Sequence, residues 1–104
     1  MNQKLYLEEF KKVTEQMFET TKRKNSDYSG ENNADAFKNF RAAENLGVCS
    51  TEEGMVVRML DKMVRIANLL KQDNFVEWEG IADSLLDLSV YSIIMYIYLK
   101  NKSN

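Results

Sequence analysis

Glu79, Asp83, Asp87 and Tyr91 recur at four-residue steps, so on a helix they share one slowly drifting side. Asp87 is the informative member. It stands between Leu86 and Leu88 in the most hydrophobic stretch of the chain, LLDLSVYSIIMYIYL. A lone carboxylate in such a setting costs several kcal/mol to bury, so it calls for a base, a hydroxyl or a metal ion. Upstream, Arg58, Asp61, Lys62, Arg65 and Asn68 are spaced three and four apart on another helical run. Two chemistries follow. Asp87, with Asp83, forms ion pairs with Arg58, Lys62 or Arg65. Alternatively Asp83, Asp87, Asp61 and Glu53 converge on Mg²⁺, a hard cation that takes oxygen ligands and bridges carboxylates to substrate phosphates. Arg58, Lys62, Arg65 and Lys24 would then face the phosphates.

The composition restricts the alternatives. The 104 residues contain no His and one cysteine, Cys49. A disulfide within the chain and a cysteine zinc cluster are excluded, and so is the usual neutral-pH general base. Acid–base work falls to carboxylates, Lys, Tyr or metal-bound water. A net charge of −2 gives no general attraction to nucleic-acid phosphates, so no nucleic-acid partner is expected. Hydrophobic residues at 44% and charged residues at 29% are ordinary globular values, and the length points to a single domain over residues 1–104.

The elements that must position these groups read as helices. No Pro, four Gly and an abundance of Leu, Met, Lys and Glu favour helix throughout. A first helix is expected over Gln3–Lys24, with Tyr6, Phe10, Val13 and Met17 on one face. ADAFKNFRAAENLG predicts a short helix stopped at Gly47. CSTEEG predicts a helix start with Ser50 as N-cap and Glu53 closing a capping box, a structural role that competes with metal binding. The third helix follows over Thr51–Lys71, with Val56, Met59, Met63, Ile66 and Leu70 as its buried seam. The fourth, Ile81–Lys100, is apolar nearly all round, which marks either the central helix of a bundle or a subunit contact.

Between the first two helices lies KNSDYSGENN, Lys24–Asn33, ten polar residues where a helix–helix connection needs about 2–8. Tyr28 offers an aromatic face, Gly30 a closely approaching backbone, and Asp27, Asn and Ser hydrogen-bonding groups. These are the residue types of a lid over a nucleotide. The N-terminus MNQKLYLEEF lacks a signal peptide's apolar core, and Leu88–Leu99 is shorter than the roughly 20 residues of a membrane span. The expected location is the cytoplasm, with no membrane partner.

KNSDYSGE, AFKNF, TEEGMVVRMLDKMVRIANLL and DSLLDLSVYSIIMYIYL, in that order, resemble a family of small phage and bacterial nucleotide-modification-associated domains. These look like relatives of the all-α MazG-like nucleoside triphosphate pyrophosphohydrolases. The motifs that carry the resemblance are K-N-x-D-Y, R-M-x-D-K and D-x-L-x-D-L. The resemblance implies an all-α four-helix bundle assembled as a homo-oligomer, a dimer or larger. It also implies carboxylates on two helices that hold Mg²⁺ while water attacks between the α- and β-phosphates. Asp87 and Asp83 would be the catalytic carboxylates, Glu53 and Asp61 further metal ligands, and Lys24, Asp27, Tyr28, Arg58, Lys62 and Arg65 the nucleotide contacts. The chain departs from the family's Glu-x-x-Glu and Glu-x-x-Asp signature. Ser84 stands three residues before Asp87, and Arg58 three before Asp61. The alternative function is an oligomer that binds and sequesters a nucleotide second messenger of antiphage defence without hydrolysing it.

Overall fold

The computed structural model describes residues 1–29, 35–72 and 78–103, the side chains of Tyr28, Ser29 and Ser103 excepted. Among the described residues the secondary structure is entirely helical. The chain resolves into two compact units, Met1–Lys38 and Asn39–Asn104.

The first unit is dominated by α1, Gln3–Ser29. Asn2 caps it, its side-chain oxygen accepting from the Leu5 amide at 2.9 Å. The Tyr6 and Phe10 rings lie 6.1 Å apart on the stripe that the spacing predicts. α1 continues five residues beyond its expected end, so Lys24–Ser29 belong to the helix and not to a loop. No Gly or Pro interrupts it before Gly30, and Asn25, Ser26 and Asp27 each cost a helix only tenths of a kcal/mol. The remainder of the expected lid, Gly30–Asn33, falls outside the described residues. Beyond it, the Asn25 amide donates to the Ala36 carbonyl at 2.9 Å, and the Asp35 carboxylate accepts from the Phe37 amide at 3.1 Å.

A 3₁₀ turn over Lys38–Arg41 leads into the second unit and the single-turn helix α2, Ala42–Asn45. The expected short helix is therefore one 3₁₀ turn followed by one α turn. It stops where expected. Gly47 takes φ 77°, its amide donates to the Glu44 carbonyl, and the Val48 amide donates to the Ala43 carbonyl. This pair of bonds ends a helix on a left-handed residue, which glycine tolerates without strain.

α3, Thr51–Leu70, starts on the predicted capping box: Ser50 Oγ accepts from the Glu53 amide at 3.0 Å, and Glu53 Oε1 accepts from the Ser50 amide at 3.0 Å. It pairs with α4, Trp78–Ser103, as an antiparallel hairpin. Glu52 at the head of α3 meets Lys102 at the tail of α4. At the other end, a Cβ added at Gly80 would sit 3.1 Å from Leu69 Cδ1, so the helices approach closely where glycine leaves room.

The covered side of α3 is Thr51, Met55, Met59, Lys62, Ile66 and Leu69. The expected seam is thus shifted: Met59 and Ile66 belong to it, while Val56, Met63 and Leu70 are about half exposed or more. The covered series keeps Met59 and Ile66 and takes Met55, Lys62 and Leu69 in place of Val56, Met63 and Leu70, a rotation of roughly 50° about the helix axis. α4 differs from expectation as well. Ser84 and Tyr98 are buried, whereas Leu85, Ile93, Tyr96 and Ile97 are exposed. With 26 residues it is the one helix among the described residues long and apolar enough to cross a membrane, a test that the core helix of a soluble protein also passes.

Candidate functional site

The middle of the hairpin carries the groups singled out by their chemistry. Asp87 projects from α4 and Lys62 from α3, and Lys62 Nζ lies 3.1 Å from Asp87 Oδ2. The two side chains are 26% and 33% exposed, so the pair sits at the edge of the helix–helix seam with solvent on one side. Of the three bases that the sequence offers Asp87, the fold brings Lys62 to it. Asp61 precedes Lys62 by one residue and is exposed, about 100° round the helix from the side that meets α4. Asp83 is exposed beside the buried Ser84.

Arg58 is occupied differently. Its guanidinium carbon lies 4.6 Å from the centre of the Phe40 ring, a cation–π geometry, and Phe40 in turn meets Tyr91 edge-on at 6.3 Å. The 3₁₀ turn is thereby fastened to both helices of the hairpin. Arg65 is exposed near the start of α4, with Nη2 3.5 Å from the position that a Gly80 Cβ would take. Lys24 and Asp27 are exposed on α1 in the first unit, and Tyr28 has its backbone in α1 and its side chain outside the described residues.

Glu53 serves α3 itself. Its carboxylate is held below the usual range by the Ser50 backbone amide first and the Ser50 hydroxyl second. Thus Glu53 closes a capping box, Asp87 pairs with Lys62, and Asp61 and Asp83 stand on exposed faces. Among the described residues no three Asp, Glu or Cys side chains come together so as to hold a metal ion. The Mg²⁺ ligand set expected from Glu53, Asp61, Asp83 and Asp87 is not assembled within one copy of the chain.

A second polar cluster closes the other end of the hairpin. Lys102 Nζ lies 2.9 Å from Glu52 Oε2, and Lys102 and Arg41 both stand over the Tyr98 ring, at 6.0 and 5.4 Å. The hydrogen bond from Lys102 is the main cause that holds the Glu52 carboxyl below its ordinary value, followed by the backbone amide of Glu52 itself. Lys102 is raised in return, chiefly by the same bond. Thr51, fully buried, donates its hydroxyl to Glu44. One signal for this cluster is visible in the sequence, namely acids in the first turn of α3 and lysines in the last turn of α4. Linking them required the antiparallel pairing.

Comparison of the chain with protein families, curated proteins and solved structures finds no match.

Proposed function

We propose that the chain is a cytoplasmic nucleotide-binding protein that holds its ligand without hydrolysing it, consistent with a phage product that sequesters a nucleotide signal. The observation that carries this reading is the Lys62–Asp87 pair. The acid best placed for catalysis is neutralised by a lysine at 3.1 Å, and Glu53 is engaged in a helix cap. Cations that could face phosphate oxygens remain on one stripe of α3, with Arg65 exposed and Arg58 part-exposed over Phe40. The K-N-x-D-Y motif at Lys24, Asp27 and Tyr28 supplies the resemblance to nucleotide-handling domains. A MazG-like four-helix bundle formed by association of hairpins is the architecture that goes with this reading.

A second reading, Mg²⁺-dependent pyrophosphohydrolysis of a nucleoside triphosphate, is favoured by the placement of Asp83 and Asp87 one turn apart on α4. It requires Asp87 to exchange Lys62 for a metal, with further carboxylates brought from another copy.

The experiment is a thermal-shift series with nucleoside triphosphates, monophosphates and cyclic dinucleotides, each with Mg²⁺ and with EDTA, followed by chromatography of the heat-released ligand. Stabilisation that persists in EDTA, with the ligand recovered intact, is the expected outcome. Recovery of monophosphate and pyrophosphate only in the presence of Mg²⁺ would establish the hydrolase instead.

A further inference from the structure

Arg58 and Tyr91 stand one helical turn from the Lys62–Asp87 pair, towards the end where Glu52 meets Lys102. Arg58 precedes Lys62 by four residues on α3 and Tyr91 follows Asp87 by four on α4, about 6 Å along each axis. Phe40 lies against both, and all of these residues belong to the unit Asn39–Asn104. The bases along this row have different partners. Lys62 has a carboxylate at 3.1 Å and Lys102 has one at 2.9 Å. Arg58 has a ring, with its guanidinium carbon 4.6 Å from the centre of Phe40. Among the described residues no carboxylate or carbonyl forms an ion pair or hydrogen bond with it.

A ring and a carboxylate act on a cation in different ways. A carboxylate neutralises the charge and takes up its donors. A ring attracts the charge through its quadrupole and leaves the N–H groups to an oxygen acceptor. Guanidinium carries five such donors in a planar fork, the shape that grips two oxygens of one phosphoryl group. A long side chain loses rotamer freedom when it binds an anion, and a ring that holds it beforehand has already taken part of that loss. Phe40 is itself held. It meets Tyr91 edge-on at 6.3 Å with 83° between the ring planes, and the 3₁₀ turn that carries it runs into α2, which packs on α3.

We infer that Phe40 is a positioning residue: it holds Arg58 charged, unpaired by carboxylate and ready for the oxygens of a phosphate group, while Tyr91 fixes the ring. The inference deepens the nucleotide-binding reading and rests on it for the source of the phosphate. It adds the chemistry that Arg58 recognises, a phosphoryl oxyanion gripped by hydrogen bonds. It also brings Phe40 and Tyr91 into the affinity through Arg58 and not through contact with the ligand.

The test is an NMR titration of the full chain, in EDTA, with inorganic pyrophosphate as the probe. The side-chain Nε–H signals of the four arginines are followed, and Arg58→Lys identifies the one from position 58. In the free wild type that signal is expected upfield of its ordinary place, because the guanidinium stands over a ring. It is expected to move in a saturable way as pyrophosphate is added. Phe40→Leu should return the free signal to its ordinary place and weaken pyrophosphate binding by about tenfold, and Arg58→Gln should weaken it by about 100-fold. Phe40→Tyr keeps a ring and should recover most of the loss. Pentafluorophenylalanine incorporated at position 40 keeps the shape of the ring and reverses its quadrupole, so it should weaken binding as Leu does with the turn still in place. That arm decides the matter even where Phe40→Leu does not fold.

Equal affinity in the wild type and the pentafluoro variant overturns the inference and leaves Phe40 as a fastening of the turn alone. So does a wild-type Arg58 signal that pyrophosphate does not move. The nucleotide series fails separately. If no nucleotide binds while pyrophosphate follows this pattern, the anion site stands and its ligand is not a nucleotide. If nucleotides bind while the Arg58 signal ignores pyrophosphate, the binding reading stands and the role of Phe40 falls.

Discussion

Replacing Lys62 by Met while leaving Asp87 in place isolates the central ion pair. At 3.1 Å two unit charges attract by about 5 kcal/mol at an effective dielectric constant of 20, and by about 1.3 kcal/mol at that of water. Both groups are roughly one-quarter to one-third exposed, so solvent screens them and the net coupling lies near the lower figure, about 1 kcal/mol. The appropriate assay is a double-mutant cycle read by thermal unfolding in far-UV circular dichroism, with Lys62→Met, Asp87→Asn and the combination. Each single change should lower the midpoint by several degrees, since about 1 kcal/mol corresponds to roughly 4–8 °C in a small domain. The double change should lower it by clearly less than the sum. Adding Mg²⁺ should move none of the four midpoints differently from the others. Strict additivity, or a Mg²⁺-dependent rise present with Asp87 and absent with Asn, would refute the reasoning and return Asp87 to the metal.

Three further outcomes follow from particular contacts. Ser84 is fully buried and its hydroxyl has no hydrogen-bond partner among the described residues, so Ser84→Ala should raise stability by about 1 kcal/mol in denaturant titration; a loss of that size would mean that the hydroxyl has a partner. Gly47 has open space about its Cα but φ 77°, so Gly47→Ala should cost about 1 kcal/mol through the backbone alone, and Gly47→Asn less. Glu52 and Glu53 are depressed in the folded state, so their stabilising effect is present above the ordinary carboxylate range and is lost as pH falls through their lowered values. Lys102 is raised, so its share is complete below its unfolded value and is lost as pH climbs through the raised one. Glu52→Gln should therefore flatten the acid limb of a stability–pH curve and shrink the alkaline limb, since it removes the partner of Lys102; a curve unchanged at both ends would exclude the pairing.

The parts of this fold that were legible in the sequence are those set by local chemistry. Ser50 and Glu53 specify a helix start within four residues, and Gly47 specifies a stop, with no reference to the remainder of the chain. The end of α1 was illegible for a related reason. Asn25, Ser26 and Asp27 look like a loop, yet their small propensity penalties do not end a helix by themselves. The face of α3 that meets α4 was hidden by a different circumstance. Two seams that share Met59 and Ile66 fit the same periodicity, and Lys62 disguises the one that is used, because a lysine in a seam makes sense only once Asp87 is known to stand opposite it. The candidate site shows the same limit: the sequence offers Asp87 three bases, and it takes the antiparallel register of the hairpin to set Lys62 3.1 Å from it.

The seam of the hairpin is closed towards both of its ends. Thr51, Met55 and Tyr98 are sealed at one, and at the other Ser84 is fully buried and Gly80 lets α4 come within contact of Leu69. The two helices should therefore part as a unit and not as a zip. Amide protons near Met55 and near Ser84 should exchange through the same global opening. The seam has an evolutionary consequence too. Substitutions at Tyr98, or larger side chains at Ser84 or Gly80, put the whole unit at risk, whereas exposed positions such as Leu70 and Tyr96 can change with little cost, and it is there that variants of this chain should diverge first.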